Sequence, residues 1–167
     1  MKKWIVMLAM MTTGSSWALQ PGDRVPEIAL PSTTGESIRL TDYEGSWIVL
    51  YFYPRAFTPG CTAQACSLRD EFGELQERAA VILGASLDSV QRLKEFKTEH
   101  ALPFELLSDS DKELSRAFDS LMLGGIMSAR KTFIIAPDGK VAYRFDRPKT
   151  SSHADEVIAK LDELMAE

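Results

Sequence analysis

The sequence predicts a single α/β domain in which helices cover both faces of a central sheet. Apolar, β-rich runs alternate along the chain with segments whose apolar residues have helical spacing, and this alternation favours a three-layer arrangement. The 167 residues are enough to bury one hydrophobic core, and neither an internal repeat nor a linker divides them. A hydrophobic fraction of 45% and a charged fraction of 26% are typical of a globular protein.

The first residues form a segment of their own. Lys2 and Lys3 precede an apolar run over residues 4–11, which is too short to span a bilayer, and a small residue, Ala18, follows. These features are typical of a secretory signal peptide cleaved after Ala18, and a buried N-terminal helix or strand is the alternative. We therefore expect residues 1–18 to be removed and the product to be a periplasmic protein without a membrane anchor.

The first half of the domain is predicted to contain a hairpin, two buried strands and the helix between them. Residues 27–40 carry a turn sequence, Thr33-Thr34-Gly35-Glu36, between two apolar segments, which predicts the hairpin. Residues 46–53 and 81–87 are continuous apolar runs, as expected for strands buried on both faces. Between them, apolar residues at helical spacing predict one helix over 61–79.

The second half continues the alternation and ends in a helix. Helical spacing predicts helices over 90–100 and 111–118, on either side of a short strand at 104–107. Residues 121–127 contain two glycines and are predicted to form a loop. The remaining elements are a hairpin with strands at 131–136 and 140–145 and a closing helix at 152–165.

The start of the helix predicted over 61–79 favours a reactive cysteine. Pro59 is tolerated at the first helical position and Thr58 is a favourable cap before it, so Cys61 falls in the first turn. There the free backbone N–H groups and the helix dipole stabilise an anion, and the thiolate is the nucleophilic form of cysteine. The alternative is a buried, inert cysteine.

The second cysteine, Cys66, follows Cys61 by five residues. In an intact α-helix this spacing gives about 7.5 Å of rise and about 140° of rotation. The two Cα atoms would then lie roughly 8–9 Å apart, which is too far for a disulfide. A bond between Cys61 and Cys66 therefore requires the first helical turn to unwind, as in a redox switch and unlike a structural disulfide. Two unrelated thiols are the alternative.

The residues around Cys61 resemble the active site of the peroxiredoxins. The pattern Pro54-x-x-x-Thr58-x-x-Cys61 matches the peroxiredoxin motif, and the wider match is to the peroxiredoxin Q, or bacterioferritin comigratory protein, branch. The resemblance covers nearly all of the chain after the predicted signal peptide. The segments that carry it are 21–23, 40–43, 57–62, 66–70, 83–89, 102–104 and 130–135.

The resemblance implies a fold and a reaction. The fold is a thioredoxin-like α/β/α sandwich with an N-terminal β-hairpin, and the reaction is the reduction of hydrogen peroxide and organic hydroperoxides. Cys61 would be the peroxidatic cysteine, and Cys66 the resolving cysteine that forms a disulfide with it. Pro54 would shield the thiolate, Thr58 would hydrogen-bond the thiolate and the peroxide, and Arg130 would hold both. A thioredoxin-like dithiol would reduce the disulfide, and no metal or other cofactor would be needed.

Three features depart from the pattern of that branch. Gln64 stands where related sequences commonly carry Glu, Phe145 lies near a position that is often Trp, and residues 121–127 are unusually apolar. His100 and His153 lie far from the cysteines in the sequence, and we expect both to be surface residues rather than metal ligands. The net charge of −5 argues against nucleic acid or an anionic membrane as a partner, and we expect a monomer.

Two other functions are possible on the same fold. The first is a periplasmic thiol–disulfide oxidoreductase, but thioredoxin-type enzymes use Cys-x-x-Cys and a cis-proline before the strand where this chain has Arg130-Lys131. The second is a copper-carrying, non-enzymatic relative, whose cysteines should have three intervening residues rather than four. Consumption of peroxide would separate the peroxidase from both.

Overall fold

The computed structural model describes residues 18–167. The predicted signal peptide lies outside the described residues, except for Ala18, and its cleavage stays a prediction.

The described chain contains strands, α-helices and two 3₁₀ turns. In chain order the strands are β1 (Leu30–Pro31), β2 (Ser37–Ile38), β3 (Trp47–Phe52), β4 (Ala80–Ser86), β5 (Glu105–Ser108), β6 (Leu121–Met122), β7 (Met127–Ser128), β8 (Lys131–Ile135) and β9 (Val141–Phe145). The α-helices are α1 (Pro59–Asp70), α2 (Phe72–Glu77), α3 (Val90–Glu99), α4 (Glu113–Ala117) and α5 (His153–Met165). The 3₁₀ turns span Leu40–Tyr43 and Leu123–Gly125.

Five strands form the central sheet in the order β5-β4-β3-β8-β9. β3 pairs in parallel with β4, and β4 in parallel with β5, whereas β8 runs antiparallel to both β3 and β9. β1 and β2 form a separate short hairpin, as predicted. The strands after the hairpin thus alternate with helices until β8 and β9 complete the sheet.

Each side of β3 packs against a different hydrophobic core cluster. Val49 and Tyr51 belong to the cluster that includes buried residues of α1, α2, α3 and α5. Leu50 and Phe52 belong to the cluster on the opposite face, with α4, the N-terminal hairpin and the first 3₁₀ turn. Since alternate residues of a strand point to opposite faces, both faces of the sheet are covered. This explains the continuous apolar run in β3 and gives the predicted three layers.

Two predicted elements differ in the structure. The helix predicted over 61–79 is divided into α1 and α2, because the backbone at Glu71 leaves helical geometry at φ −102° and ψ 18°. Apolar spacing continues on both sides of this single residue, so periodicity alone gives no sign of the break. The loop predicted over 121–127 is a hairpin in which β6 pairs with β7. Gly124 and Gly125 provide the turn with positive φ values of 67° and 85°.

None of the helices within residues 18–167 is both long enough and apolar enough to cross a membrane.

Candidate active site

Both cysteines lie in helix α1, which follows the central strand β3. The helix begins at Pro59, as predicted, with Thr58 as its extended N-cap residue. Cys61 is the third residue of the helix and only 1% exposed, whereas Cys66 is half-buried further along the same helix, and both are free thiols. Cys61 therefore lies in the first helical turn, where free backbone N–H groups and the helix dipole favour an anion.

The Thr58 side chain does not cap the helix, and this part of the prediction is wrong. Its hydroxyl donates to the Arg55 carbonyl oxygen at 2.8 Å instead. With its proton used in that bond, the Thr58 oxygen is free to accept a hydrogen bond from another group. Pro54 is half-buried in the segment between β3 and α1.

Arg130 reaches the cysteine from the segment just before β8. Its Nη2 donates to the Cys61 sulfur at 3.4 Å, and its Nη1 donates to Gln64 Oε1 at 2.6 Å. Gly60 makes this approach possible, because a Cβ atom there would lie 3.1 Å from Arg130 Nη2. The guanidinium thus lies directly beside the buried sulfur, where its charge stabilises a thiolate.

Gln64 is fully buried one helical turn after Cys61. Its Oε1 accepts from Arg130, while its Nε2 has no hydrogen-bond partner. An amide orients the guanidinium without neutralising its charge, which a carboxylate at this position would do. Because this chain has Gln64 where related sequences commonly have Glu, the positive charge of Arg130 remains available to the sulfur of Cys61.

His153 is buried, and its prediction as a surface residue is wrong. Its Nε2 lies 2.8 Å from Thr132 Oγ1 and its Nδ1 lies 3.4 Å from Glu156 Oε2. Burial lowers the pKa of His153 to about 4, although the nearby Glu156 carboxylate opposes this change. The charge of Arg130 lowers the same pKa further. The imidazole is therefore neutral near pH 7.

The hydrogen bond between Thr132 and His153 joins β8, the strand that follows Arg130, to helix α5. Thr132 is the second residue of β8 and lies two residues after Arg130 in the chain. Sequence reasoning missed this group, and the only local signal was the spacing of His153 and Glu156 at i and i+3 in the first turn of α5.

The C-terminal half of α1 is fixed to two other elements. The backbone N–H of Ala154 in α5 donates to Ser67 Oγ at 3.1 Å. Arg69 Nη1 donates to the His100 carbonyl oxygen, at the end of α3, at 2.9 Å. These two anchors follow Cys66 in the chain, so they hold the part of α1 after Cys66 and leave the first turns free of them.

The residue before the N-cap has an unusual backbone. Phe57 adopts a positive φ of 67°, in the left-handed region that non-glycine residues rarely occupy. Its ring packs edge-on against Phe96 of α3 with centroids 5.2 Å apart, and the Arg92 guanidinium lies 5.0 Å above the ring. These contacts hold the chain in the turn from which α1 starts.

The sequence pattern of the AhpC/TSA family matches residues 21–144. The chain belongs to the AhpC/TSA family. Peroxiredoxin Bcp of Escherichia coli strain K12 is 40% identical over 151 residues, which cover 87% of this chain and 97% of the relative. Peroxiredoxin Bcp of Bacillus subtilis strain 168 is 37% identical over 152 residues, with the same coverage of 87% and 97%.

Solved structures of this AhpC/TSA branch have the same fold. The bacterioferritin comigratory protein of Xanthomonas campestris superposes with a TM-score of 0.80 at 32% identity, covering 86% of this chain and 98% of that one. A cysteine-to-serine variant of PrxQ from Xylella fastidiosa gives 0.83 at 30% identity, covering 90% and 99%. The chain is therefore an enzyme of the peroxiredoxin class, the thiol-dependent peroxidases, with a thioredoxin-like fold of the peroxiredoxin Q branch.

Proposed function

We propose that this enzyme reduces hydrogen peroxide and organic hydroperoxides through a cycle that starts at Cys61. The observation that carries the proposal is the 3.4 Å contact between Arg130 Nη2 and the sulfur of Cys61 in the first turn of α1. The bacterioferritin comigratory protein of Xanthomonas campestris has alkyl peroxide reduction activity, which supports organic hydroperoxides as substrates here.

In the first step the Cys61 thiolate attacks one peroxide oxygen. The sulfur–oxygen bond forms as the oxygen–oxygen bond breaks, and the leaving oxygen takes up a proton to give water or an alcohol. Arg130 donates to the oxygens on which negative charge develops. The Thr58 hydroxyl oxygen, which is free to accept, receives a hydrogen bond from the peroxide. Pro54 shields the site from water.

In the second step Cys66 attacks the sulfenic acid of Cys61 and forms an intramolecular disulfide. Both residues lie in α1, where a spacing of five residues separates the Cα atoms by roughly 8–9 Å. This exceeds the reach of a disulfide, so the first turns of α1 unwind to bring Cys61 to Cys66. The position of the anchors at Ser67 and Arg69 supports unwinding from the N-terminal end.

In the third step a thioredoxin-like dithiol reduces the disulfide by thiol exchange. A bridge that forms only when a helix unwinds is relatively easy to reduce, because refolding of α1 favours the two free thiols. A general protein thiol–disulfide oxidoreductase is disfavoured as an alternative, since Cys61 is only 1% exposed and a protein substrate could not reach it in the reduced enzyme.

We also propose that residues 1–18 direct export to the periplasm and that the protein acts there as a monomer. The basic residues followed by an apolar run and Ala18 support export. Intact mass of the protein purified from the periplasm should correspond to a chain that begins at Leu19. A full-length chain in the cytoplasmic fraction would contradict the proposal.

The test of the peroxidase cycle is peroxide consumption by the purified, reduced protein. The wild-type enzyme should turn over with a dithiol, whereas Cys61→Ser should not, because an alcohol is barely ionised near neutral pH and cannot form a sulfenic acid. Substantial turnover by Cys61→Ser would exclude Cys61 as the reacting residue.

A further inference from the structure

Both backbone polar groups of Ala56 are bound by side chains from the start of α3 and the residues before it. The Ala56 N–H donates to Asp88 Oδ2 at 2.8 Å, and the Ala56 carbonyl oxygen accepts from Arg92 Nη2 at 3.0 Å. Ala56 is fully buried and lies two residues before Thr58, the N-cap residue of α1. The chain that leads from β3 into α1 is therefore fixed by another element immediately before the helix begins.

Asp88 is itself fixed by the ends of two strands. Its side chain is only 8% exposed, its Oδ2 accepts from Ser86 Oγ at 2.8 Å, and its Oδ1 lies 3.2 Å from Arg92 Nε. The Asp88 carbonyl oxygen accepts from Ser108 Oγ at 2.6 Å. Ser86 and Ser108 are register partners at the ends of the parallel strands β4 and β5. Asp88 thus connects Arg92 to the central sheet.

Arg92 contacts both groups whose relative rotation defines the unusual backbone of Phe57. The φ angle of a residue is the rotation between the preceding peptide group and its own Cα substituents. Arg92 Nη2 binds the oxygen of the peptide group between Ala56 and Phe57, and the guanidinium lies 5.0 Å from the centroid of the Phe57 ring. These two contacts oppose relaxation of φ from 67° to the usual negative values. Since the chain after Phe57 turns with this angle, its relaxation would displace Thr58 and the first turn of α1.

We propose that Arg92, held in place by Asp88, is a positioning residue that keeps the first turn of α1 wound and thereby limits how fast Cys61 reaches Cys66. This inference rests on the proposed function. In the step concerned, the Cys66 thiolate attacks the sulfur of the Cys61 sulfenic acid, the S–S bond forms as the S–O bond breaks, and the released hydroxide takes up a proton to give water. Arg92 takes no part in these bond changes and acts on the preceding equilibrium between wound and unwound helix.

Rapid mixing with peroxide provides the first test, with Arg92→Met as the variant. Methionine keeps the apolar stem and removes the guanidinium, and the Arg92 side chain is 38% exposed, so the fold should be retained. After one equivalent of peroxide, quenched samples are analysed by mass spectrometry for the disulfide and for sulfenic acid trapped with a 1,3-diketone. We expect the disulfide to form about tenfold faster than in wild type, the change expected when a charged hydrogen bond is lost. The reaction of Cys61 with peroxide should change little, since the wound form stays the major one.

Two further variants separate this role from a general loss of stability. Asp88→Asn keeps an oxygen for the Ala56 N–H but removes the charge that holds Arg92, so disulfide formation should again be faster than in wild type. Arg78→Met is the matched control, because Arg78 also joins two elements by binding Asp162 of α5 at 2.6 Å from the end of α2. Arg78→Met should leave the rate of disulfide formation unchanged.

Hydrogen exchange of the reduced protein tests the inference without peroxide and so separates it from the proposed function. The Thr62 N–H donates to the Thr58 carbonyl oxygen at 2.9 Å, so this amide is protected only while the first turn of α1 is wound. In Arg92→Met the amides of residues 62–65 should exchange about tenfold faster than in wild type. In Arg78→Met they should exchange at the wild-type rate.

Four results would overturn the role of Arg92. They are disulfide formation in Arg92→Met at or below the wild-type rate, no acceleration in Asp88→Asn, an equal acceleration by Arg78→Met, and unchanged exchange over residues 62–65 in Arg92→Met. If exchange is faster as expected but wild-type protein forms no disulfide with peroxide, the positioning role of Arg92 is supported and the proposed cycle is refuted.

Discussion

Buried His153 should make the stability of this enzyme fall on acidification within a defined pH window. Burial lowers its pKa from an ordinary value of 6.5 to about 4 in the folded protein. As the pH drops below 6.5, the histidine of the unfolded chain takes up a proton that the folded protein excludes. The free energy of unfolding therefore decreases from pH 6.5 down to about 4, below which both states are protonated.

The size of this effect follows from the difference between the two pKa values. Each pKa unit corresponds to about 1.4 kcal/mol. Lowering the pKa of His153 from 6.5 to about 4 thus corresponds to about 3 kcal/mol of stability lost across the window. This is a large share of the total stability of a typical domain, which is about 5–15 kcal/mol.

Chemical denaturation at a series of pH values measures this loss. Carboxylates also titrate near pH 4, so the informative quantity is the difference in slope between wild type and His153→Gln. The variant should be less stable at pH 7, because its amide cannot reproduce the imidazole contacts, yet should lose less stability on acidification. Parallel curves for wild type and His153→Gln between pH 6.5 and 4.5 would refute the reasoning.

The cysteine site gives four further expectations. Arg130→Ala should slow the reaction with peroxide about 100-fold, because a donor to the developing charge is lost, and an unchanged second-order rate would contradict its role. Gln64→Glu should slow the same step about tenfold, since a carboxylate there would neutralise the guanidinium. Cys66→Ser should consume about one equivalent of peroxide and then stall as a sulfenic acid; continued turnover without added thiol would exclude Cys66 as the resolving residue. Disulfide formation should abolish hydrogen-exchange protection at the start of α1, whereas equal protection over residues 61–70 in both redox forms would show that the helix does not unwind.

The sheet and the start of α1 could be predicted because each depends on local sequence. The apolar run of β3 is long and uninterrupted, and a strand buried on both faces requires such a run. Pro59 defines where α1 begins, since proline fits the first turn of a helix. The position of Cys61 in that turn then follows from counting residues.

Features that depend on contacts between distant elements could not be predicted in this way. His153 is buried because α5 docks on α1 and β8, and no pattern near residue 153 encodes that docking. The Thr58 side chain could bond either to a free N–H of the helix N-terminus or to the Arg55 carbonyl oxygen. A general capping preference does not predict which of the two bonds forms. The contact between Arg130 and Cys61 joins residues 69 apart in the chain, and only the resemblance to a known family indicated it.

The left-handed backbone at Phe57 means that α1 starts from a residue under strain. For a non-glycine residue this conformation costs roughly 1–2 kcal/mol, and the contacts of the ring with Phe96 and Arg92 offset that cost. If Phe57 relaxes as the first turns of α1 unwind, this energy is released and lowers the cost of opening the helix. The packing of the Phe57 ring against α3 then opposes this relaxation. A weaker contact of the ring with Phe96 and Arg92 should therefore make the unwound form of α1 more accessible.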